Sequence, residues 1–437
     1  MAFFRTFASA GRRGCRAYHI RPRKGVFLFV AKKCVHSDIY ICDMSTEGKY
    51  VVKGGFYIKA RELKAAVKRF KYVIPKGDSD EILKRLLMHQ MKDTLLLEGS
   101  DGEMYATSIL NVEPIEGSVL DPSMAVPYYS LRDYLKHVPE ETLLKCVFAE
   151  NEKGVPYMLI ESEQGRQPFH GICSCNYPKA PKFRCSNIAI MEVDDFRDMV
   201  ARTIFAADEM PYSRLGGVYF HCLPDRTRFI ATNRAILSMY ERTDIIFRKP
   251  ESVVVPKRFL QAFVAGINAP HHGKNVLIYI CEGHIMLSGN GFSLFSKCLS
   301  EDFPDYERAI PKEPKYTSIL KRDTLIDVIK QLLAFANQKT SRINLFFDEA
   351  KVAVSAEIPV HGMSKTEKLH CKYSGDAPTW FRISFNAKLL LSILENLKSE
   401  YIVMKMASNG RNVVILPEPQ NSKAHVLYLI APLLVEV

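Results

Sequence analysis

Four side chains near the middle of the chain have the types that hold a metal: His170, Cys173, Cys175 and Cys185. Zinc sites usually pair cysteines two to four residues apart, with a second pair further on. Here a C-x-C pair would fall on one face of an extended segment, with one further cysteine and one distant histidine. That spacing favours plain thiols, so no metal and no cofactor is expected. Asp305, in the run Phe303-Pro304-Asp305-Tyr306, has no visible partner carboxylate and is expected to cap a turn rather than serve as a catalytic acid. The Gly-Asn-Gly around Asn290 reads as a hairpin turn, and His271-His272 reads as an exposed linker. Neither a phosphate loop nor a HExxH or GxSxG motif occurs, which argues against a P-loop motor and the common hydrolases. Binding, not catalysis, is the expected activity.

Net charge is +12 over 437 residues, with eleven cysteines and 47% hydrophobic residues. Residues 1–54 hold eleven Lys/Arg against three Asp/Glu, a balance of +8, so the other 383 residues carry only +4. An unevenly spread charge of this kind points to a nucleic-acid partner only where the cations cluster. The leader carries Arg5, Arg12, Arg13, Arg16, Arg21, Arg23 and Lys24 and no acid before Asp38. It reads as a disordered basic tail, a DNA-touching arm or an organelle transit peptide, with short strands at 26–31 and 39–42. No apolar run is long enough to cross a membrane. Unpaired cysteine spacings suggest a reducing compartment and mostly buried thiols.

The elements that must position any site recur. A pattern of ~125 residues appears three times: extended segment, amphipathic helix, strand pair, second helix, more strands. In the first copy Leu63, Val67 and Phe70 mark one helix face, a hairpin turns at Asp101-Gly102, and 129–138 forms the second helix. In the second, Asp194 or Asp195 is expected to cap a helix carrying Phe196, Met199, Val200 and Thr203. In the third, Leu325, Val328, Ile329 and Leu332 define one helix, and Leu390, Ile393, Leu394 and Leu397 the other. The fold class is therefore α+β: three repeated domains, each with two helices on antiparallel sheets. The boundaries fall at 1–54 for the extension, then 55–184, 185–311 and 312–437.

Four stretches carry a family likeness. Ser213–Phe220 with 228–233, then 303–311, then 381–394, then 427–434 resemble, in order, motifs of the beta-subunit sliding clamps of bacterial replicative DNA polymerases. The resemblance covers about 55–437. It implies a non-enzymatic processivity factor: a head-to-tail homodimer of six domains that encircles double-stranded DNA and docks the polymerase and clamp loader through short peptides. It also implies a cytoplasmic protein on the nucleoid. A clamp-fold interaction protein of a phage or mobile element, binding polymerase peptides without loading on DNA, is the alternative.

On this resemblance, helix cations line the bore: Lys64, Lys68 and Arg69 in the first copy; Arg197, Arg202, Lys257 and Arg258 in the second; Lys321, Lys388 and Lys398 in the third. Arg214 joins them from a loop. A partner-peptide cleft is implied at Leu215, Thr232, Leu237, Pro304, Arg308, Ala309, Leu389, Leu429, Ala431, Pro432 and Leu433, and a subunit interface at Phe335. Against the family pattern, Arg234 replaces a glycine near the cleft, Ala431 and Leu433 replace methionines, and Glu436 and Val437 extend the end.

Overall fold

The computed structural model describes the short strands Ala17–Tyr18, Phe29–Lys32 and Ile39–Cys42, and residues 49–115, 121–210, 213–268, 273–299, 302–348, 350–358, 363–375, 381–407, 410–421 and 423–433. The second expected leader strand is thus seen as Ile39–Cys42, and the first is displaced to Phe29–Lys32. The rest of the leader, His271-His272, Glu436 and Val437 lie outside the described residues.

Each of six helices leaves directly from a strand. Lys49–Lys59 runs into α1 (Ala60–Lys68), Ser123–Pro127 into α2 (Tyr128–His137), and Ile188–Glu192 into α3 (Val193–Ile204). Val253–Pro256 runs into α4 (Lys257–Ile267), Tyr316–Lys321 into α5 (Arg322–Leu333), and Phe381–Asn386 into α6 (Ala387–Glu395). The apolar spacing decides which face is covered: α1 buries Ala60, Leu63, Ala66 and Val67, and α5 buries Leu325, Ile326, Val328, Ile329 and Leu332.

A helix that starts from a strand leaves its first N–H groups without intrahelical partners. The chain supplies backbone carbonyls instead of side-chain caps. The first N–H of α1 donates to Thr142 O, beyond α2, and that of α2 donates to Lys84 O, beyond α1, at 2.9 and 3.2 Å. The exchange repeats for α3 with Lys274 O and α4 with Gly216 O, at 2.8 and 3.0 Å. It repeats again for α5 with Glu400 O and α6 with Ser341 O, at 2.9 and 2.8 Å. The threefold repeat is therefore written in the backbone as well as in the sequence pattern. It also corrects the expected cap of α3. The N-cap residue is Glu192 and makes no side-chain cap, while Asp194 and Asp195 lie inside the first turn. Only α6 begins under a side-chain cap among those described, Asn386 Oδ1 accepting from Lys388 N and Leu389 N.

The chain divides into two compact units. One comprises Met1–Phe183, Ala262–Gly273 and Ser288–Ser296; the other comprises Arg184–Gln261, Lys274–Leu287 and Lys297–Val437. In the first, strands Thr94–Ser100 and Met104–Asn111 pair as expected across Asp101-Gly102. Asp101 Oδ1 accepts from Glu103 N and Met104 N, and Gly102 takes φ +94°, a conformation open to glycine at little cost. In the second, Gly217–Cys222, Thr227–Thr232, Ile236–Arg242, His425–Ile430, Val413–Glu418 and Tyr401–Met406 form one continuous antiparallel run. Its central pairing, Ile236–Arg242 with His425–Ile430, joins the second sequence copy to the third.

The cysteine expectation needs correction at one place. Cys146, Cys222, Cys298 and Cys371 are buried thiols, but Cys173 and Cys175 are exposed and joined by a disulfide. The strand there ends in a single tight turn, Ser174–Asn176, which brings the two side chains together. Cys185 donates instead to the carbonyls of Asn187 and Ile280. Among the described residues, no three His, Cys, Asp or Glu side chains converge on a point that could hold a metal. No described helix is long and apolar enough to cross a membrane.

Candidate functional site

Two surfaces were implied by the sequence, and the structure sorts their residues. Among the helix cations, Lys68, Arg258, Lys388 and the loop residue Arg214 are exposed, while Lys64 is half-buried and donates to Val138 O. Lys257 sits 2.7 Å from Glu209, Arg197 3.0 Å from Asp194, and Lys321 3.7 Å from Glu400. Lys398 is exposed and reaches Asp198 at 2.7 Å.

Two members of the set are corrected. Arg69 lies just past α1, in the tighter turn Arg69–Tyr72, which rotates it inward. It is 2% exposed, donates to Ser108 Oγ at 3.0 Å, and burial pulls its pKa down to about 10. Arg202 is also buried, with its Nε 2.6 Å from Asp198. Burial works against the Asp198 carboxylate, but hydrogen bonds from Lys398 and Arg202 outweigh it and hold its pKa below the usual range. Arg202 sits in the last turn of α3 and Arg69 just past the end of α1, where inside and outside differ by one position, so the apolar spacing did not resolve them.

Several cations occupy a costly place. Lys257 and Arg258 open α4, Arg322 opens α5 with Lys321 before it, and Lys388 is the second residue of α6. Helix N-termini carry partial positive charge and favour acids, so each such cation costs roughly 0.3–1 kcal/mol at the surface. Sequence reading passed over Arg132 and Lys136 of α2, which share Asp133 at 2.7 and 2.8 Å. The helix itself was legible, and its charged face was the signal available.

The residues expected to form a cleft divide into a buried set and a half-buried set. Thr232, Leu237, Leu429 and Val414 are directly opposite one another across four strands, so they share one face of the sheet. The alternate face meets α3, where Ser238 Oγ donates to Arg202 O at 2.6 Å. Leu237, Leu429, Ile230, Met239, Val414, Leu427 and Tyr306 form a buried apolar cluster, with Phe303, Ala309 and Ile310 packed on it. The leucines are thus part of the core. Thr232 spends its hydroxyl in the turn, donating to Ile236 O and accepting from Arg234 N. Pro304, Ala309, Ala431, Pro432 and Leu433 are half-buried, and Arg308 is exposed beside Asp305 at 2.8 Å. Asp305 therefore serves an ion pair; it makes no side-chain cap, contrary to expectation. The chain end is held by Ala431 N–H on Ala235 O at 2.9 Å and Leu433 N–H on Ser384 O at 2.8 Å. Leu215 is buried in the loop after α3, and Leu389 is half-buried in the first turn of α6; neither belongs to the apolar cluster.

Residues 307–433 match the family described as DNA polymerase III beta subunit, C-terminal domain. The beta sliding clamp of Escherichia coli K12 is 24% identical over 350 residues, covering 79% of this chain and 91% of that one. That of Pseudomonas putida is 22% identical over 364 residues, covering 83% and 94%. Among solved structures, the Pseudomonas aeruginosa sliding clamp (DNA polymerase III subunit beta) bound to griselimycin superposes with a TM-score of 0.79 at 20% identity, over 88% of this chain and all of that one. The Thermotoga maritima beta subunit gives 0.77 at 18% identity, over 88% and 100%. The chain has the beta sliding-clamp fold.

In this chain the 303–310 segment is pinned by a polar network. His221 Nδ1 and the Tyr306 hydroxyl are 2.8 Å apart, Arg228 donates to Tyr306 at 3.2 Å, and Arg228 also pairs with Glu307 and Glu241 at 2.7 and 2.5 Å. Tyr219 stacks on Phe303 at 4.7 Å and on His221 at 5.3 Å. Burial, then the charge of Arg228, lowers the His221 pKa below its ordinary value, partly offset by Glu307. The folded chain thus prefers neutral imidazole, and the unfolded chain takes up the proton first as pH falls. The contribution is complete above the ordinary histidine pKa of about 6.5 and declines below it, towards the lower folded pKa. Thermal melts should show a drop in Tm from pH 7.5 to 5.5 that is smaller in His221→Gln; an identical drop in both proteins would refute this role.

Proposed function

We propose that the chain is a DNA sliding clamp, a processivity factor that encircles duplex DNA and holds a replicative polymerase to it. The observation that carries this reading is the clamp fold running through 88% of the chain, with cations set at the N-termini of its helices. In this reading 55–184, 185–311 and 312–437 are three clamp domains, and two chains join head to tail to close a ring of six. The exposed cations Lys68, Arg214, Arg258, Lys388 and Lys398 face the bore with Lys64, Arg197, Lys257 and Lys321, and attract phosphate without reading sequence. Partner peptides from the polymerase and the clamp loader dock on the rim formed by Pro304, Arg308, Ala309, Ala431, Pro432 and Leu433, over the leucine floor. No chemistry is performed; retention comes from topology. The protein acts where its DNA is, in a bacterial-type cytoplasm. No observation favours the alternative of a clamp-fold protein that never loads.

The reading is tested by retention on circular DNA and its loss on linear DNA. A second test addresses ring closure. Phe335, half-buried just beyond α5, is taken as part of the subunit interface. Truncating an aromatic anchor at an interface typically weakens association by about 2 kcal/mol, near 30-fold. A two-chain ring breaks two such interfaces when it dissociates, so Phe335→Ala should shift the dimer–monomer midpoint upward by about the square of that factor, near 1,000-fold, in sedimentation velocity; an unchanged midpoint would exclude Phe335 from the interface.

A further inference from the structure

We infer that Arg234 sets a charge preference in the peptide cleft, favouring partner segments that carry a carboxylate beside their apolar anchor. This rests on the cleft reading above and adds a specificity determinant to it. The hairpin between Thr227–Thr232 and Ile236–Arg242 is closed by side-chain bonds: Asn233 Oδ1 accepts from Ala235 N at 3.1 Å and Ile236 N at 3.0 Å, and Thr232 Oγ1 accepts from Arg234 N at 3.1 Å. This closure holds Arg234 at φ +75°. A residue with a Cβ costs roughly 1–2 kcal/mol in that region, whereas glycine costs almost nothing and asparagine little. Arginine adds a long side chain with much rotamer freedom to lose. Stability alone selects against it, and strain kept at a prospective site points to use.

Position supplies the second argument. Lys92, Asp121, Arg234, Glu282, Asn290 and Ser341 are the left-handed non-glycine residues among those described, and Arg234 alone stands between Thr232 and Leu237 of the floor row. The next residue, Ala235, accepts the hydrogen bond that anchors Ala431 at 2.9 Å, so Arg234 borders the half-buried Ala431–Pro432–Leu433 rim. Its side chain is exposed and enters no ion pair among the described residues, whereas the other rim arginine, Arg308, is already engaged by Asp305. The cleft thus offers an apolar floor and one uncommitted guanidinium. A guanidinium presents two parallel donors to a carboxylate, a geometry that an ammonium or a neutral amide does not match.

The test uses the full-length protein and two fluorescent pentapeptides of leucine and phenylalanine. One carries a single aspartate next to the apolar pair, and the other carries asparagine there. By anisotropy at low salt, the wild-type protein should bind the aspartate peptide about three- to fivefold more tightly, as expected for an exposed charge pair. The ratio should shrink with added salt, and should fall to about one in Arg234→Gly and Arg234→Asn, both of which suit a left-handed position. Thermal melts verify that the two variants fold. Equal ratios in wild type and variants, or no preference in a wild type that binds both peptides, overturn the role of Arg234 and leave the cleft standing. Failure of the wild type to bind either peptide overturns the cleft reading itself, and this inference with it.

Discussion

Loaded onto a nicked circular duplex by a clamp loader, the protein is expected to stay bound through gel filtration in 200 mM salt and to be lost when a restriction enzyme linearises the circle. Two kinds of attachment predict different outcomes. Contacts between phosphates and the exposed cations Lys68, Arg214, Lys388 and Lys398 are electrostatic and release counterions. A protein making six or more phosphate contacts loses a factor of about 1,000 or more in affinity between 50 and 200 mM salt. A closed ring is indifferent to that loss, because leaving the circle requires breaking a subunit interface. Linear DNA removes the obstacle, and weak contacts then let the ring slide off the end. Equal loss from circular and linear DNA would leave only charge-driven binding, and the clamp reading would fail. Equal retention on both would indicate a fixed, non-sliding grip and would fail it too.

Replacing Pro432 and Leu433 together by serine is expected to weaken polymerase-peptide binding at least about tenfold with little change in Tm. Both residues are half-buried beyond the last strand, His425–Ile430, so truncating them opens no cavity in the core. The chain end keeps its anchors, because Ala431 N–H on Ala235 O and Leu433 N–H on Ser384 O are backbone bonds. Full burial of an exposed apolar side chain contributes about 1.5–3 kcal/mol, and these two are already half-buried, so covering the rest of both contributes roughly 1.5–3 kcal/mol in all. A factor of about 10 is near the lower end of that range. Peptide anisotropy measures the loss, and a parallel melt shows whether the fold survives. Wild-type affinity in the double variant would move the peptide site elsewhere on the molecule.

The order of elements was legible because helices and strands here obey their periods. Leu63 and Val67 on α1, or Leu325, Val328, Ile329 and Leu332 on α5, are buried as their spacing requires. Strands such as Asn275–Cys281 alternate buried with less buried residues as a one-sided sheet must. The hairpin at Asp101-Gly102 followed from turn chemistry. The misread positions have physical causes. Asp194 and Asp195 looked like caps, yet the carbonyl of Lys274 already satisfies the first N–H of α3. Arg69 and Arg202 looked like surface cations, yet Ser108 and Asp198 receive them in the interior. Cys173 and Cys175 looked like buried thiols, yet a one-turn helix exposes and joins them. For the start of α3 and for Arg69 the deciding partner is distant in the chain, and for the cysteines it is a local turn; Arg202 pairs with Asp198 one turn back on its own helix, and what the sequence did not show is that this face is covered.

By itself, then, the sequence determined the three repeats, the α+β class, the helix faces and the run 303–310 that packs on the apolar cluster. These depend on local periodicity and on short motifs whose physics acts within a few residues. Tertiary structure alone decided which cations reach solvent, how each helix start is satisfied, and that Thr232, Leu237 and Leu429 form one row. Those outcomes depend on pairing between segments as far apart as Leu237 and Leu429, and on whether a charged group finds a partner before it is buried. Hydrogen-bond satisfaction and charge burial belong to the assembled fold, so no stretch of sequence announces them.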